Sequence, residues 1–478
     1  MFHVHNWKRV HLVGIGGINM SAVAKLLLAA GVRVTGTDVA DSEIVRELAQ
    51  RGVPMLIGPH DERHVPPDCD ALIYTSAAPE DNPERVAARN RKIPEVNNFE
   101  WLGLWFGDKR VVLVTGTHGK STTTALLGQM CNVGGLDPTV IVGSKLSAWT
   151  EGNLRIGKSD LVIIEGDEYA KHFLAFHPAA IIINNIELDH TDVYADVADV
   201  RKTFERLLHQ VKLGGTVVAN GEQEQVNTAV KPFIATKQLK VTRFGKGDGS
   251  KLKVSSSKLD DEVTVGWKDG SLHVKIETGK EVLELFSSLM GAYNGMNIAA
   301  AAIMARELKV NDEAIKQTVS DFKGIWRRME LLTTRDGVPV YSDYGHHPTA
   351  VRSALDALRE SFPDKRIVLC FQPHHKNRTK HLFDDFVTCF DRADILVLCE
   401  IYDVAGRNAP EDEDMTSGKL LDAIQLRIKN EELKIQSQYA SDPDEAVKVT
   451  LSLLKPNDVC VFMGAGDMDA AVRKTLTT

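Results

Sequence analysis

A chain of 478 residues, 43% hydrophobic and 26% charged, has room for about three soluble domains with cores of their own. Its net charge of -8 leaves no positive surplus for neutralising a phosphate backbone, which argues against a nucleic-acid partner. The six cysteines (Cys69, Cys131, Cys370, Cys389, Cys399, Cys460) form no C-x-x-C pair, so neither a disulfide scaffold nor a zinc site is expected, and they read as reduced thiols of a cytoplasmic protein.

The first block runs over residues 1–107. A short apolar strand at 10–13 enters a glycine turn and an apolar-periodic helix at 20–30. Glycines, Asn19, Ser21 and Lys25 interrupt this stretch, so it makes a poor signal-peptide core. No run reaches the roughly 20 apolar residues of a membrane span. Strands at 32–36, ending at Asp38, and at 71–74, leading into TSAAPEDNP, complete a parallel α/β pattern. Gly14, Gly16 and Gly17, with Asp38 downstream, resemble a dinucleotide fingerprint whose third glycine is replaced by Asn19. The turn therefore points to a diphosphate at a helix N-terminus without specifying a nicotinamide cofactor.

The second block, 108–325, opens with a buried strand at 111–114 that enters GTHGKSTTT. Further strands at 161–164 and 180–183 end at Glu165 and Asn184. The stretch 239–288, divided by GKGDG, KDG and TGK, reads as antiparallel hairpins added to the sheet, and MGAYNGMNIAAAAIMARELKV then starts a helix. The third block, 326–478, alternates strand candidates at 338–342, 367–371, 395–399 and 459–463 with helical segments, and its acidic stretch 410–414 reads as a solvated loop. The expected fold class is thus α/β with three domains: Rossmann-like, central P-loop ATPase-type with a parallel sheet and added antiparallel strands, and Rossmann-like again.

A strand, a tight glycine turn and a helix start together aim several backbone N–H groups at one anion. Gly116 and Gly119 let the backbone approach it, Lys120 reaches the β- and γ-phosphates, and the Ser121 hydroxyl suits Mg²⁺. The loop is a shortened variant, because Val114 stands at the first glycine of the general pattern. Glu165, Asp167 and Glu168 end the neighbouring strand, where they are candidates for the metal, and Asp189 and His190 end the next one.

Taken in order, GIGGINM, GTHGKSTTT, EGDE, NNIELDH, YNGMN, RRMELL, DYGHHPT and FQPHH resemble the motifs of the Mur ligase family over nearly the whole chain. The resemblance implies an ATP-dependent ligase of peptidoglycan precursor synthesis that uses Mg²⁺ and makes an amide through an acyl phosphate. Its substrates would be UDP-N-acetylmuramate and a small amino acid, L-alanine. It would be a cytoplasmic monomer or homodimer. By motif, Gly14, Gly16, Gly17, Asp38, His60 and Ser76 would hold the UDP-sugar. Gly116, Thr117, Gly119, Lys120, Ser121, Thr122, Asn294, Asn297, Arg328 and Asp343 would hold ATP. Ser121, Glu165 and His190 would bind metal, and Tyr344, His346, His374 and Arg378 would line the amino-acid pocket. Lys120, His190, Arg328 and His346 form the catalytic set, His346 as a candidate base. The sequence departs from the family pattern at Asn19, Ser121, Gly166, Ala350 and His375. A tripeptide-adding recycling ligase of the same family is the alternative, and a nicotinamide-dependent oxidoreductase is the alternative from another class.

Overall fold

Strands buried on both faces need apolar residues throughout. Val10, Leu12 and Val13 meet that need in the middle of the first sheet. The computed structural model describes residues 3–191, 193–246, 260–403 and 412–477. Its first sheet runs Met55–Ile57, Arg33–Asp38, Arg9–Val13, Ala71–Tyr74, Glu95–Asn97, all parallel. Arg9–Val13 pairs with Arg33–Asp38 on one side and Ala71–Tyr74 on the other. The glycine turn that follows it therefore lies at a switch point, where α/β sheets collect ligands.

The second sheet has ten strands among the described residues. At its centre Arg110–Thr115 lies between Leu161–Glu165 and Ala180–Ile183, parallel to both, with Val114 level with Glu165 and Thr115 with Ile183. That register sets the phosphate loop between the acidic strand end on one side and Asn184 and Asn185 on the other. Val112 and Val114 belong to one core with Leu126 and Met130 of the helix Lys120–Val133 and with Ala299–Ala302, while Val111 and Leu113 belong to another with Ile181, Ile183 and Phe204.

The expected run of hairpins at 239–288 needs one correction. Lys240–Lys246 lies parallel beside Thr216–Asn220, and its short pairing with Asp261–Lys268 is parallel too. Antiparallel pairing begins only with Asp261–Lys268, Ser271–Thr278 and Glu281–Ser287. The reason is the connection: the helix Glu224–Thr236 supplies the crossover a parallel strand needs, whereas Asp269 and Gly270 take the two positive φ values (52° and 77°) of a tight hairpin. Residues 247–259, including most of GKGDG, lie outside the described residues. So do Pro410 and Glu411 of the acidic stretch. Asp412, within that stretch, is not solvated: it is buried and accepts from Asn377 Nδ2 at 3.0 Å.

The third sheet runs Glu330–Arg335, Val338–Asp343, Asp458–Met463, Arg366–Phe371, Ile395–Cys399, Gln436–Ala440, parallel except for the first pair. Polar contacts join the three sheets. Lys25 Nζ donates to the Glu151 carbonyl at 2.7 Å and to Asn153 Oδ1 at 2.8 Å, linking the first helix to the central part. Arg378 Nε donates to Asp189 Oδ1 at 2.9 Å and Thr191 Oγ1 to Asn377 Oδ1 at 2.6 Å, linking the central part to the third.

Candidate active site

Gly119 caps the helix Lys120–Val133 with φ 80°, a left-handed conformation that favours glycine. An added Cβ there would collide with the Asn297 side chain. The N–H groups of Lys120, Ser121 and Thr122 begin the helix, with no carbonyl one turn back inside it to bond. Asn185 braces the loop from the other side: its Oδ1 accepts from His118 N at 2.7 Å and its carbonyl from Thr117 N at 3.3 Å. Lys120 Nζ folds back onto the Gly116 and Thr117 carbonyls, at 2.8 and 3.2 Å, and lies 2.9 Å from Glu168 Oε2. Burial works against its charge, but Glu168, Asp167 and Glu165 outweigh burial and hold the ammonium above the usual lysine value.

Across the loop, Ser121 Oγ donates to Glu165 Oε1 at 2.9 Å and Gly143 N to Glu165 Oε2 at 2.6 Å. Burial pushes the Glu165 carboxyl above its usual range, so this carboxylate gains from any cation brought beside it. Asp167, Glu168 and His190 form a second set, with ligand atoms all within 4.8 Å of one another. Among the described residues Glu168 Oε2 finds no donor in hydrogen-bond geometry, despite the nearby lysine. Hard oxygen donors, with one buried carboxylate that burial holds above its usual range, beside a phosphate loop fit a divalent cation. A second His–carboxylate group, His118, Glu187 and His347, fits one less well, because His347 Nδ1 already accepts from Thr349 N at 3.2 Å and Nε2 lies 3.3 Å from the Leu188 carbonyl.

The remaining ATP candidates converge on the same place. Asn294 and Asn297 begin the helix Ala292–Glu307, and Asn297 Nδ2 donates to Asn294 Oδ1 at 3.1 Å. The Arg328 guanidinium stands 4.9 Å over the Tyr344 ring. Asp343 accepts from Met329 N at 2.8 Å and Gly345 N at 2.6 Å, and burial raises its carboxyl despite Arg328. In the third part, His346 and His374 lie 5.8 Å apart by ring centroid, and Arg378 also reaches the His374 carbonyl at 3.2 Å. Burial, and then Arg378, pull His346 down to about 3, so in this arrangement it accepts a proton poorly. Burial would raise Asp189, but Arg378 holds it well below the usual carboxylate range.

The first-domain candidates form a separate cluster. Gly16 N donates to Asp38 Oδ2 at 2.8 Å, so a carboxylate occupies a donor of the glycine turn. Asn19, at the third position of the glycine turn, lines the cavity that holds the phosphate loop. His60 Nδ1 meets the buried Glu84 Oε1 at 2.7 Å, while Glu84 Oε2 pairs with His11 Nε2 at 2.9 Å and Thr37 Oγ1 at 2.8 Å. The Glu84 bond raises His60 above the usual histidine value against burial. Burial would raise Glu84, yet hydrogen bonds from His11 and His60 bring it down to about 2.

A cavity of about 590 Å³ joins the phosphate loop, the acidic strand end and the third-domain histidines, with Ile18 and Asn19 at its first-domain end. Lys120, Ser121, Glu165, His190, Arg328, Asp343, His346 and Arg378 all line it; Gly14, His60 and Ser76 do not. Sequence reasoning missed Asn185 and Glu84. The doubled asparagine in NNIELDH could have suggested the first; nothing in the spacing suggests the second.

Comparison with known proteins adds three matched families and several relatives. The Mur ligase family catalytic domain matches residues 9–110, the Mur ligase middle domain 114–305, and the Mur ligase glutamate ligase domain 327–466. A UDP-N-acetylmuramate–L-alanine ligase of Desulforapulum autotrophicum is 35% identical over 460 residues, 96% of each chain. One from Aquifex aeolicus is 32% identical over 464 residues, covering 96% of this chain and 95% of the relative. The solved UDP-N-acetylmuramate–alanine ligase of Thermotoga maritima superposes with a TM-score of 0.80 at 26% identity over 98% of each chain. A murein peptide ligase of Psychrobacter arcticus shares the fold at a TM-score of 0.71 and 22% identity, again over 98% of each chain.

Proposed function

The chain belongs to the Mur ligase family, and on that premise we propose that it joins L-alanine to the carboxylate of UDP-N-acetylmuramate at the expense of ATP. The observation that carries this reading is the single cavity in which Lys120, Glu165, Arg328 and Arg378 meet. No enzyme nucleophile is needed. A carboxylate oxygen of the sugar acid attacks the γ-phosphorus, the bond to ADP breaks, and an acyl phosphate forms. The alanine amine then attacks the acyl carbon, loses a proton, and expels phosphate that retains the carboxylate oxygen. Positioning and charge neutralisation supply the catalysis.

Lys120 would exchange its loop carbonyls for phosphate oxygens, and Arg328 would bear on the transferring group from the third domain. Asn294, Asn297, Thr117, Thr122 and Asp343 would complete the ATP site. Ser121 and Glu165 would hold Mg²⁺, and His190, beside Asp167 and Glu168, a second ion. Bound there, Mg²⁺ supplies neutralisation of the phosphate charge. Arg378, oriented by Asp189, would bind the alanine carboxylate, with Tyr344, His346 and His374 shaping the pocket; at its low basicity His346 is assigned no proton transfer. Gly14, Gly16, Gly17, Asp38, His60 and Ser76 would take the UDP-sugar.

The division at 1–107, 108–325 and 326–478 belongs to the same reading, supported by one sheet falling within each span. No helix among the described residues is long and apolar enough to cross a membrane. With six unpaired cysteines, that supports work in the cytoplasm. Phosphate release with UDP-N-acetylmuramate and MgATP, offered L-alanine, L-serine, glycine or the muropeptide tripeptide in competition, tests the reading. L-alanine should win by at least about tenfold in kcat/KM. Preference for the tripeptide would assign the chain to the recycling branch instead.

A further inference from the structure

The segment Tyr169–Ala175 leaves the acidic strand end and packs on the helix Asn98–Trp105 of the first domain. Ala170 and Lys171 both have left-handed backbone there, with φ 48° and 63°, an arrangement non-glycine residues adopt at a cost. The next residue, His172, is nearly buried, and its ring stacks on Phe99 at 4.3 Å and 13°. Both of its nitrogens are engaged. Nδ1 lies 3.4 Å from Asp167 Oδ2, in the acidic loop of the central domain. Nε2 lies 2.5 Å from Ser76 Oγ, in the loop that follows Ala71–Tyr74 of the first domain. Ser76 Oγ in turn accepts from Asn97 Nδ2 at 2.8 Å.

We propose that His172 is a positioning residue that fixes the Ser76 hydroxyl at the sugar-acid site and ties that site to the acidic loop beside the phosphate loop. This rests on the ligase reading above, which puts Ser76 in the UDP-sugar site. The bonding pattern gives the device a direction. In the neutral ring, the Asp167 carboxylate, which can only accept, keeps the proton on Nδ1 and leaves Nε2 to receive the Ser76 hydrogen. With Asn97 donating to one lone pair, Ser76 meets its ligand as an acceptor through the other. The group it recognises is therefore an N–H or O–H of the sugar moiety, not its diphosphate or carboxylate. Thr75, next to Ser76, packs so closely on the glycine turn that a Cβ at Gly14 would lie 2.5 Å from Thr75 Cγ2, which sets Ser76 beside the turn. A displacement of His172 would release Ser76 while leaving the bonds of Lys120, Ser121 and Arg378, none of which involves His172, in place.

The test uses the full chain and four variants: His172→Ala, His172→Gln, Ser76→Ala, and the Ser76→Ala/His172→Ala double. Steady-state constants are measured for all three substrates, and UDP-N-acetylmuramate affinity by calorimetry with a non-hydrolysable ATP analogue present. Loss of a buried hydrogen bond of this kind should raise the sugar-acid KM and Kd roughly tenfold in His172→Ala. The KM values for ATP and L-alanine should stay within about twofold. Glutamine, whose amide reaches the position of Nε2, should recover most of the loss, and the double variant should be no worse than either single one. An unchanged sugar-acid Kd, additive losses in the double variant, or a uniform rise of all three KM values with a lower Tm would overturn the proposal. If the unaltered chain binds UDP-N-acetylmuramate but does not turn it over with L-alanine, the ligase reading fails; the calorimetric comparison still decides the role of His172.

Discussion

Two strand–turn–helix units in this chain share a backbone plan and differ in what surrounds it. In the first domain the turn after Arg9–Val13 starts with Gly14 at φ 76°; in the central domain the turn after Arg110–Thr115 ends with Gly119 at φ 80°. Each aims a helix N-terminus at a potential anion. In the first, the Asp38 carboxylate sits on the Gly16 N–H, so an arriving diphosphate must displace a negative charge. In the second, Lys120 waits on two loop carbonyls and Glu168, and Ser121 on Glu165. The backbone pattern announces an anion. The side chains within a few ångströms decide whether it is a diphosphate held by backbone alone or a triphosphate held with lysine and metal.

The comparison breaks most sharply at Lys120. Lys120→Ala should lower kcat/KM by about 10³-fold while leaving UDP-N-acetylmuramate affinity within about twofold, because the first turn does not use this side chain. Equal losses at both substrates would mean the two turns are not independent sites.

Glu84 tests what supports the first turn. It is buried beneath His11, Thr37 and His60, and Glu84→Ala would leave those partners facing one another without their carboxylate. The expected cost is about 3 kcal/mol in denaturant unfolding, with the phosphate loop's ATP affinity retained. The sign of the pH dependence follows from its lowered value. Glu84 stabilises the fold fully above its ordinary 4.5, and the contribution disappears as pH falls from there through about 2. The raised His60 value acts oppositely: its share is complete below the ordinary 6.5 and is lost as pH rises through the folded value. Unfolding of Glu84→Gln between pH 7 and 3 should therefore be flatter than that of the unaltered chain.

Smaller effects come from matched alanine substitutions in the two turns. Gly119→Ala drives a Cβ into the Asn297 side chain and should cost about 100-fold in ATP affinity. Gly16→Ala meets Val45 Cγ2 at 2.7 Å and Asp38 Oδ2 at 2.9 Å, but its backbone, unlike that of Gly119, is not left-handed, so the added Cβ brings no φ strain. It should weaken UDP-N-acetylmuramate by only about tenfold. Equilibrium binding of each ligand to each variant checks both, and crossed effects would contradict the assignment of one ligand to each turn.

The phosphate loop was legible because its signal is local: an apolar strand, glycines at fixed offsets, then Lys120 and Ser121. The alternation of strands and helices likewise announced three α/β sheets. Lys240–Lys246 was misread because a short amphipathic strand has the same period whether its partner is parallel or antiparallel, and the preceding helix had to be weighed. The Arg378–Asp189 link spans 189 positions and Glu84–His11 spans 73, and no spacing rule reaches so far. His172 was illegible for the same reason: its partners lie in two domains.

The central claim is that the sugar acid is activated as an acyl phosphate at the loop around Lys120. UDP-N-acetylmuramate labelled with ¹⁸O in its carboxylate, incubated with MgATP and L-alanine, should yield ADP and phosphate carrying one ¹⁸O for each amide formed. Unlabelled phosphate, or release of AMP and pyrophosphate, would contradict the account.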